Sequence, residues 1–132
     1  MNVRRGDRIK ARSAHGGVLL VPCLLNEAYR YWFLVDTGTA MTMLSTQVAE
    51  EMALDVEHPV RYTPIASVHK VTQAPVVRID SLHVGGQRVT GMEVLVIPLP
   101  SELRLDGLLG VNFLSRFRPT FEFDQSIIVL RR

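Results

Sequence analysis

A single aspartate follows an apolar run in this chain and opens a short turn. The run Trp32–Val35 leads directly into Asp36-Thr37-Gly38, and Thr39-Ala40 comes next. Burying an unpaired carboxylate is costly, so a carboxylate placed after four apolar residues indicates a group that has a use. An ionised carboxylate in such a turn can take a proton from water, which is one half of the chemistry that hydrolysis requires.

A second landmark lies near the end of the chain. Leu105–Leu114 contains Leu108-Leu109-Gly110, two apolar residues and a glycine that precede a predicted short helix. Together with the Asp36 loop and a hairpin between the two, this segment resembles the retropepsins, the single-lobe aspartic proteases of retroviral type. The resemblance covers nearly the whole chain, Val18 to Leu130. Pepsin-like enzymes carry the loop motif twice in two lobes, whereas this chain carries it once.

The resemblance implies a fold, a dimer and a set of site residues. It implies an all-β, single-lobe acid-protease barrel with two short helices, acting as a homodimeric endopeptidase on peptides or proteins, without cofactor or metal. Asp36 would pair with Asp36 of a second copy, Thr37 would brace the two loops, and Gly38 would let the backbone approach the carboxylate. The supporting residues would be Thr39, Ala40, Leu108, Leu109 and Gly110.

The same resemblance implies a flap over the substrate, in the hairpin from Tyr62 to Val76. Its contact residues would be Ile65, Ala66, Ser67, Val68 and His69, with Leu108 and Val111 lining apolar pockets. Two departures from the family stand out. The hairpin tip lacks the glycines of viral flaps, and Thr39 occupies a position where retroviral members mostly have alanine. We expect the Thr39 hydroxyl to donate to Asp36 and to favour its charged form, so that Thr39→Ala makes the activity optimum less acidic.

Alternatives remain open at several of these positions. Asp36 could instead cap a turn through its own backbone, and the chain could be a retropepsin-like dimerisation or peptide-binding module with little turnover. Asp106 precedes the second landmark, where the family has no catalytic aspartate, so a turn or surface role is favoured. The four histidines lack metal-ligand spacing, and Cys23 lies in an apolar strand that indicates a buried thiol.

Composition narrows the class of protein. The chain has 132 residues with 47% hydrophobic content, which fits one domain, residues 1–132, with 1–17 as a possible extension. The net charge of +2 and the lack of interleaved aromatics disfavour a nucleic-acid-binding barrel. Solvated ends would explain the basic residues there, among them Arg4, Arg5, Arg8, Lys10 and Arg12. One cysteine and no apolar leader or membrane-spanning run predict a cytoplasmic protein with no membrane partner.

Local patterns predict mostly strands. Two apolar runs around Asn26-Glu27-Ala28 predict a hairpin, with both strands covered on both faces. Pro64 and Pro75 predict edge strands, and Gly85-Gly86 predicts a tight turn. The chain end could pair with another chain or within its own. These predicted elements are Val18–Leu25, Tyr29–Val35, a helix over Thr46–Leu54 capped by Ser45, Val60–Ala66, Val71–Ile79, Met92–Ile97, an extended Leu103–Leu109, a helix over Gly110–Phe117, Thr120–Phe123 and Ile127–Leu130.

Overall fold

The computed structural model describes residues 6–14, 16–66 and 68–132, and in these ranges the chain forms eleven strands and two short α-helices. Arg4, Arg5, His15 and Ser67 lie outside the described residues. The elements are β1 (Asp7–Lys10), β2 (Arg12–Ala14), β3 (Val18–Leu25), β4 (Tyr29–Val35), β5 (Met43–Ser45), α1 (Thr46–Glu51), β6 (Arg61–Ala66), β7 (Val71–Val84), β8 (Gln87–Ile97), β9 (Gly107–Leu109), α2 (Val111–Leu114), β10 (Thr120–Glu122) and β11 (Ile127–Leu130).

Two sheets account for all of these strands. The larger has eight strands in the order β2-β3-β4-β9-β5-β8-β7-β6, with a further pairing of β3 to β7, and the smaller has the order β1-β11-β10. In the larger sheet β4 and β9 run parallel, with Phe33 opposite Gly107 and Val35 opposite Leu109. The predicted all-β fold is confirmed, and this parallel pair brings the Asp36 loop beside the second landmark.

The β3–β4 hairpin forms as predicted, but its two faces differ. Its turn places Asn26 and Glu27 at φ 51° and 59°, a left-handed conformation that asparagine tolerates well. Along β3 every second residue is buried, from Leu19 to Leu25, while Val18 and Pro22 are exposed. The prediction that both strands are covered on both faces is therefore wrong. A single-face core is enough for an antiparallel pair, even where the outward residues are also apolar.

The β6–β7 hairpin projects from the body of the large sheet. Val71–Pro75 pairs only with β6, whereas β7 pairs with β8 from Val76 onward. Pro64 lies on β6, which is an edge strand as predicted. The prediction for Pro75 is wrong for the strand as a whole, since β7 lies between β6 and β8, but it holds locally because Pro75 precedes the first β8 pair. Strand β7 also runs on past Ile79 to Val84.

The chain ends fold onto their own chain. Strand β11 is the centre of the small sheet, with Ile9 opposite Ile128 on one side and Phe121 opposite Ile128 on the other. The open question about the last strand is thereby answered for this chain: it pairs internally. Of the basic residues near the start of the chain, Arg8, Lys10 and Arg12 are exposed, as expected, and Arg8 also forms a surface ion pair with Glu122 at 3.0 Å.

Three other predicted elements differ in extent. The first helix is capped by Ser45, whose hydroxyl accepts from Val48 N–H at 3.1 Å, but it ends at Glu51. Of Leu103–Leu109 only Gly107–Leu109 is a strand, because Arg104 takes a left-handed conformation that interrupts the extended run. The second helix covers only Val111–Leu114 of the predicted span. No helix in the described part of the chain is long and apolar enough to cross a membrane.

Candidate active site

Asp36 lies where β4 ends, on a loop that leaves the sheet. Its main-chain N–H donates to the carbonyl of Leu109 at 3.0 Å, which continues the β4–β9 ladder by one residue. Its side chain is half-buried, and Oδ1 accepts the N–H of Gly38 at 2.8 Å. This hydrogen bond is the backbone turn that the alternative interpretation of Asp36 requires. It involves one carboxylate oxygen, and it holds the carboxyl group at the surface of the single chain.

The loop residues that follow are mostly exposed. Thr37, Gly38 and Ala40 are exposed, and Thr39 is half-buried. The hydroxyl of Thr39 donates to the main-chain carbonyl of Met41 at 3.2 Å. A hydroxyl group has one proton, so the expected donation from Thr39 to Asp36 is not made in this chain. The expected shift of the activity optimum on Thr39→Ala therefore loses its structural basis.

A buried pair of polar side chains fixes the far side of the loop. Thr42 is fully buried, and both its N–H and its hydroxyl donate to Asn112 Oδ1, at 2.9 and 2.8 Å. The Thr42 hydroxyl in turn accepts the N–H of Gly110 at 3.1 Å. The amide nitrogen of Asn112 donates to the carbonyl of Glu93 on β8 at 3.0 Å. This network, which we call the Thr42–Asn112 bridge, ties the Asp36 loop to α2 and to the sheet.

The main chain reinforces that bridge. Val111 N–H donates to Thr39 carbonyl at 2.9 Å, and Asn112 N–H donates to Ala40 carbonyl at 3.0 Å. Gly110 is required by close approach, because a Cβ atom there would lie 2.7 Å from the main-chain carbon of Met41. Sequence reasoning identified Gly110 but missed Thr42 and Asn112. A lone amide between Val111 and Phe113, in an otherwise apolar helix, was the available signal.

The two leucines predicted to support the site differ in burial. Leu109 is fully buried in the main core, whereas Leu108 is half-buried on the sheet surface, opposite Leu34 and Met43. Beside Met43 lies a small second core of Ala74, Val76 and Leu95. Met41, Met43, Ile65 and Ile97 pack against it. Ile65 of the hairpin and Met41 at the end of the Asp36 loop therefore pack against the same cluster.

The hairpin tip stands away from these contacts. Val68 is 96% exposed, and Ala66 and His69 are also exposed. Ser67, the remaining predicted contact residue, lies outside the described residues. A cavity of about 390 Å³ opens beside the hairpin, lined by Tyr62, Ile65, Ala74 and Ile97 among others. In the single chain, the tip residues are not brought against Asp36.

Asp106 directly precedes β9, whereas Leu109, whose carbonyl accepts the Asp36 N–H, ends it. Its Oδ2 accepts the main-chain N–H of Trp32 at 3.1 Å, a group that lies beyond the last β4–β9 pair. Partial burial raises the pKa of the Asp106 carboxyl group above its ordinary value, against the lowering effect of that hydrogen bond. The favoured structural role for Asp106 agrees with this geometry.

The other side chains considered for chemistry are Cys23 and the histidines. Cys23 is buried, and desolvation raises the pKa of its thiol well above the ordinary range, so the thiol stays protonated and unreactive. The prediction of a buried thiol is confirmed. His58 contacts Asp55, and His83 lies 3.7 Å from Glu27. Among the described residues, no group of three His, Cys, Asp or Glu side chains is placed to hold a metal ion.

Comparison with known proteins agrees with this architecture. The family described as aspartyl protease matches residues 21–113, which is more than half of the chain. A solved structure, the crystal structure of a retropepsin-like aspartic protease from Rickettsia conorii, is similar over 98% of this chain and 96% of that chain, with a TM-score of 0.72 and 22% identity. No curated protein matches the chain by sequence. The chain belongs to the aspartyl protease family and has the retropepsin-like fold.

Proposed function

We propose that this protein is a homodimeric aspartic endopeptidase whose two carboxylates are Asp36 of each copy. The observation that carries the proposal is the presentation of Asp36. Its carboxyl group stands at the open end of β4, on an exposed loop whose base is fixed by the Thr42–Asn112 bridge. A loop that is fixed at its base and presents a half-buried carboxylate at the surface of the chain suits pairing with a second copy.

The chemistry follows from two carboxyl groups that share one proton. Carboxylates a few ångströms apart do not both ionise easily, so the pair titrates in two separate steps. In the intermediate state the ionised member takes a proton from water, and the protonated member polarises the peptide carbonyl. The two hydrogen bonds from Gly38 N–H to Asp36 Oδ1, one in each copy, would hold the two carboxyl groups in a fixed orientation.

The substrate would be an extended peptide with apolar side chains beside the cleaved bond. Met43 and Leu108 present apolar, half-buried surface next to the loop, and Ile65 joins them from the hairpin. The exposed tip at Val68 would close over the peptide, adding apolar contact that the free chain lacks. Apolar clefts of this kind bind mainly by removing such surface from water.

The test is cleavage of a diverse peptide mixture across acidic to neutral pH, with new termini identified by mass spectrometry. We expect cleavage by the wild type, inhibition by pepstatin-type compounds and loss of cleavage in Asp36→Asn. Asp80→Asn, which alters an exposed aspartate on β7, is the matched control and should cleave normally. Peptide binding without cleavage at any pH would contradict the proposal and favour the binding-module alternative.

A further inference from the structure

An apolar groove borders the Asp36 loop on the side of the chain termini. It has a volume of about 390 Å³ and is lined by Val18, Leu19, Val35, Thr37, Phe121 and Phe123. Phe123 is 63% exposed although its ring lies only 6.0 Å from that of Phe121, and Val18 is 37% exposed. A large aromatic side chain left this open next to a concave apolar surface indicates a site for another macromolecule.

The position of the groove determines which macromolecule it meets. Thr37 and Val35 are the immediate neighbours of Asp36 in the chain, so their Cα atoms lie about 3.8 Å from that of Asp36. If two Asp36 side chains share a proton across a two-fold axis, the surface around Thr37 must face the second copy. This step rests on the proposed function. The other flank of the loop is also apolar and open, since Val111, bonded to Thr39, is 38% exposed.

The pairing within the small sheet argues against a dimer held together by exchange of the last strand. Both edges of β11 are already paired, to β1 and to β10 of the same chain. Exchange of the last strand between copies would break both of these internal ladders. No edge of β11 is therefore open to a second copy, and the groove with Phe123 at its rim offers exposed apolar side-chain surface beside the Asp36 loop instead.

We propose that two copies of this chain associate through this groove, with Phe123 of each copy packed over the groove of the other. A two-fold dimer uses the same patch on both copies, so each groove is covered once and each Phe123 is buried once. The groove thereby sets the affinity of the dimer and, through it, the assembly of the carboxylate pair.

Sedimentation equilibrium on three variants tests this inference. We expect Phe123→Asp to weaken the dimer by on the order of 30-fold or more, as loss of a central aromatic anchor does. Val60→Asp, which places the same charge at a 52% exposed apolar residue next to the hairpin, should dimerise like the wild type. Phe123→Leu keeps an apolar side chain and should retain most of the affinity. Circular dichroism and thermal unfolding check that all three variants are folded.

The possible outcomes separate this inference from the proposed function. If Phe123→Asp dimerises as tightly as the wild type and cleaves peptides, the groove is not the interface, although the protease proposal stands. If Phe123→Asp and Val60→Asp weaken the dimer equally, the effect is not specific to the groove and the inference is wrong. If the wild type neither dimerises nor cleaves, the proposed function fails together with the dimer.

Discussion

The Asp36 loop and the β6–β7 hairpin are built in opposite ways. The loop is short and exposed, yet buried groups hold its base: Thr42 and Asn112 share three hydrogen bonds with each other and with Gly110. In the hairpin, Val71–Pro75 of β7 pairs only with β6, and the side chain of Val68 at the tip is 96% exposed. The difference indicates that the carboxylate is positioned in advance, whereas the hairpin tip would have to obtain its contacts from a partner or substrate.

The largest effect should come from breaking the loop's support. Asn112→Ala would leave the buried N–H and hydroxyl of Thr42 without their acceptor, and we expect the free energy of unfolding to fall by about 2–4 kcal/mol. Displacement of the loop should lower kcat on the order of 10²-fold. Denaturant unfolding and peptide kinetics measure the two effects.

Asn112→Asp separates the two halves of the bridge. It keeps the oxygen that accepts from Thr42 but replaces the amide that donates to Glu93 carbonyl. We expect an intermediate loss of stability. Equal stability of wild type and Asn112→Ala would show that the loop does not depend on this bridge.

The hairpin should respond in the opposite manner. Val68→Ser removes an apolar side chain that is 96% exposed in the free chain, so the free energy of unfolding should not change. If the tip closes over the peptide, KM should rise about tenfold with little change in kcat. Val60→Ser, outside the tip, is the control. An unchanged KM in Val68→Ser would mean that the tip does not cover the substrate.

Prediction from the sequence succeeded where the determinants are local. The Ser45 cap, the Gly85-Gly86 turn and the β3–β4 hairpin all depend on neighbouring residues. The support of the loop does not, because Thr42 and Asn112 are 70 positions apart and meet only once β4 and β9 are paired. Leu103–Leu109 failed for a related reason: an apolar run without clear periodicity does not reveal a left-handed residue such as Arg104 within it.

A smaller effect is expected at Thr39. Its hydroxyl donates to Met41 carbonyl, so Thr39→Ala should lower the free energy of unfolding by about 1 kcal/mol and leave the pH profile of cleavage in place. The profile of kcat/KM against pH is the measurement. A shift of the optimum to higher pH would mean that the hydroxyl turns to Asp36 in the active dimer.

The smallest effect is expected at Asp106, away from the loop. Burial raises the pKa of its carboxyl group, so the folded chain holds the proton more tightly than the unfolded chain does. The contribution of Asp106 to stability therefore falls as pH rises above the ordinary value of 3.8. Asp106→Asn keeps an acceptor for Trp32 N–H and should flatten this fall, as unfolding at a series of pH values would show. A slope identical to that of the wild type would contradict the assignment.

The central claim is that each active site needs Asp36 from two chains. Wild type and Asp36→Asn can be mixed at constant total concentration, with time for subunit exchange, and the cleavage rate measured against the wild-type fraction. In an equal mixture, random pairing leaves wild-type homodimers as about one quarter of all dimers, so the rate should fall to about one quarter. A rate of one half or more would show that one Asp36 suffices, and would contradict the shared dyad.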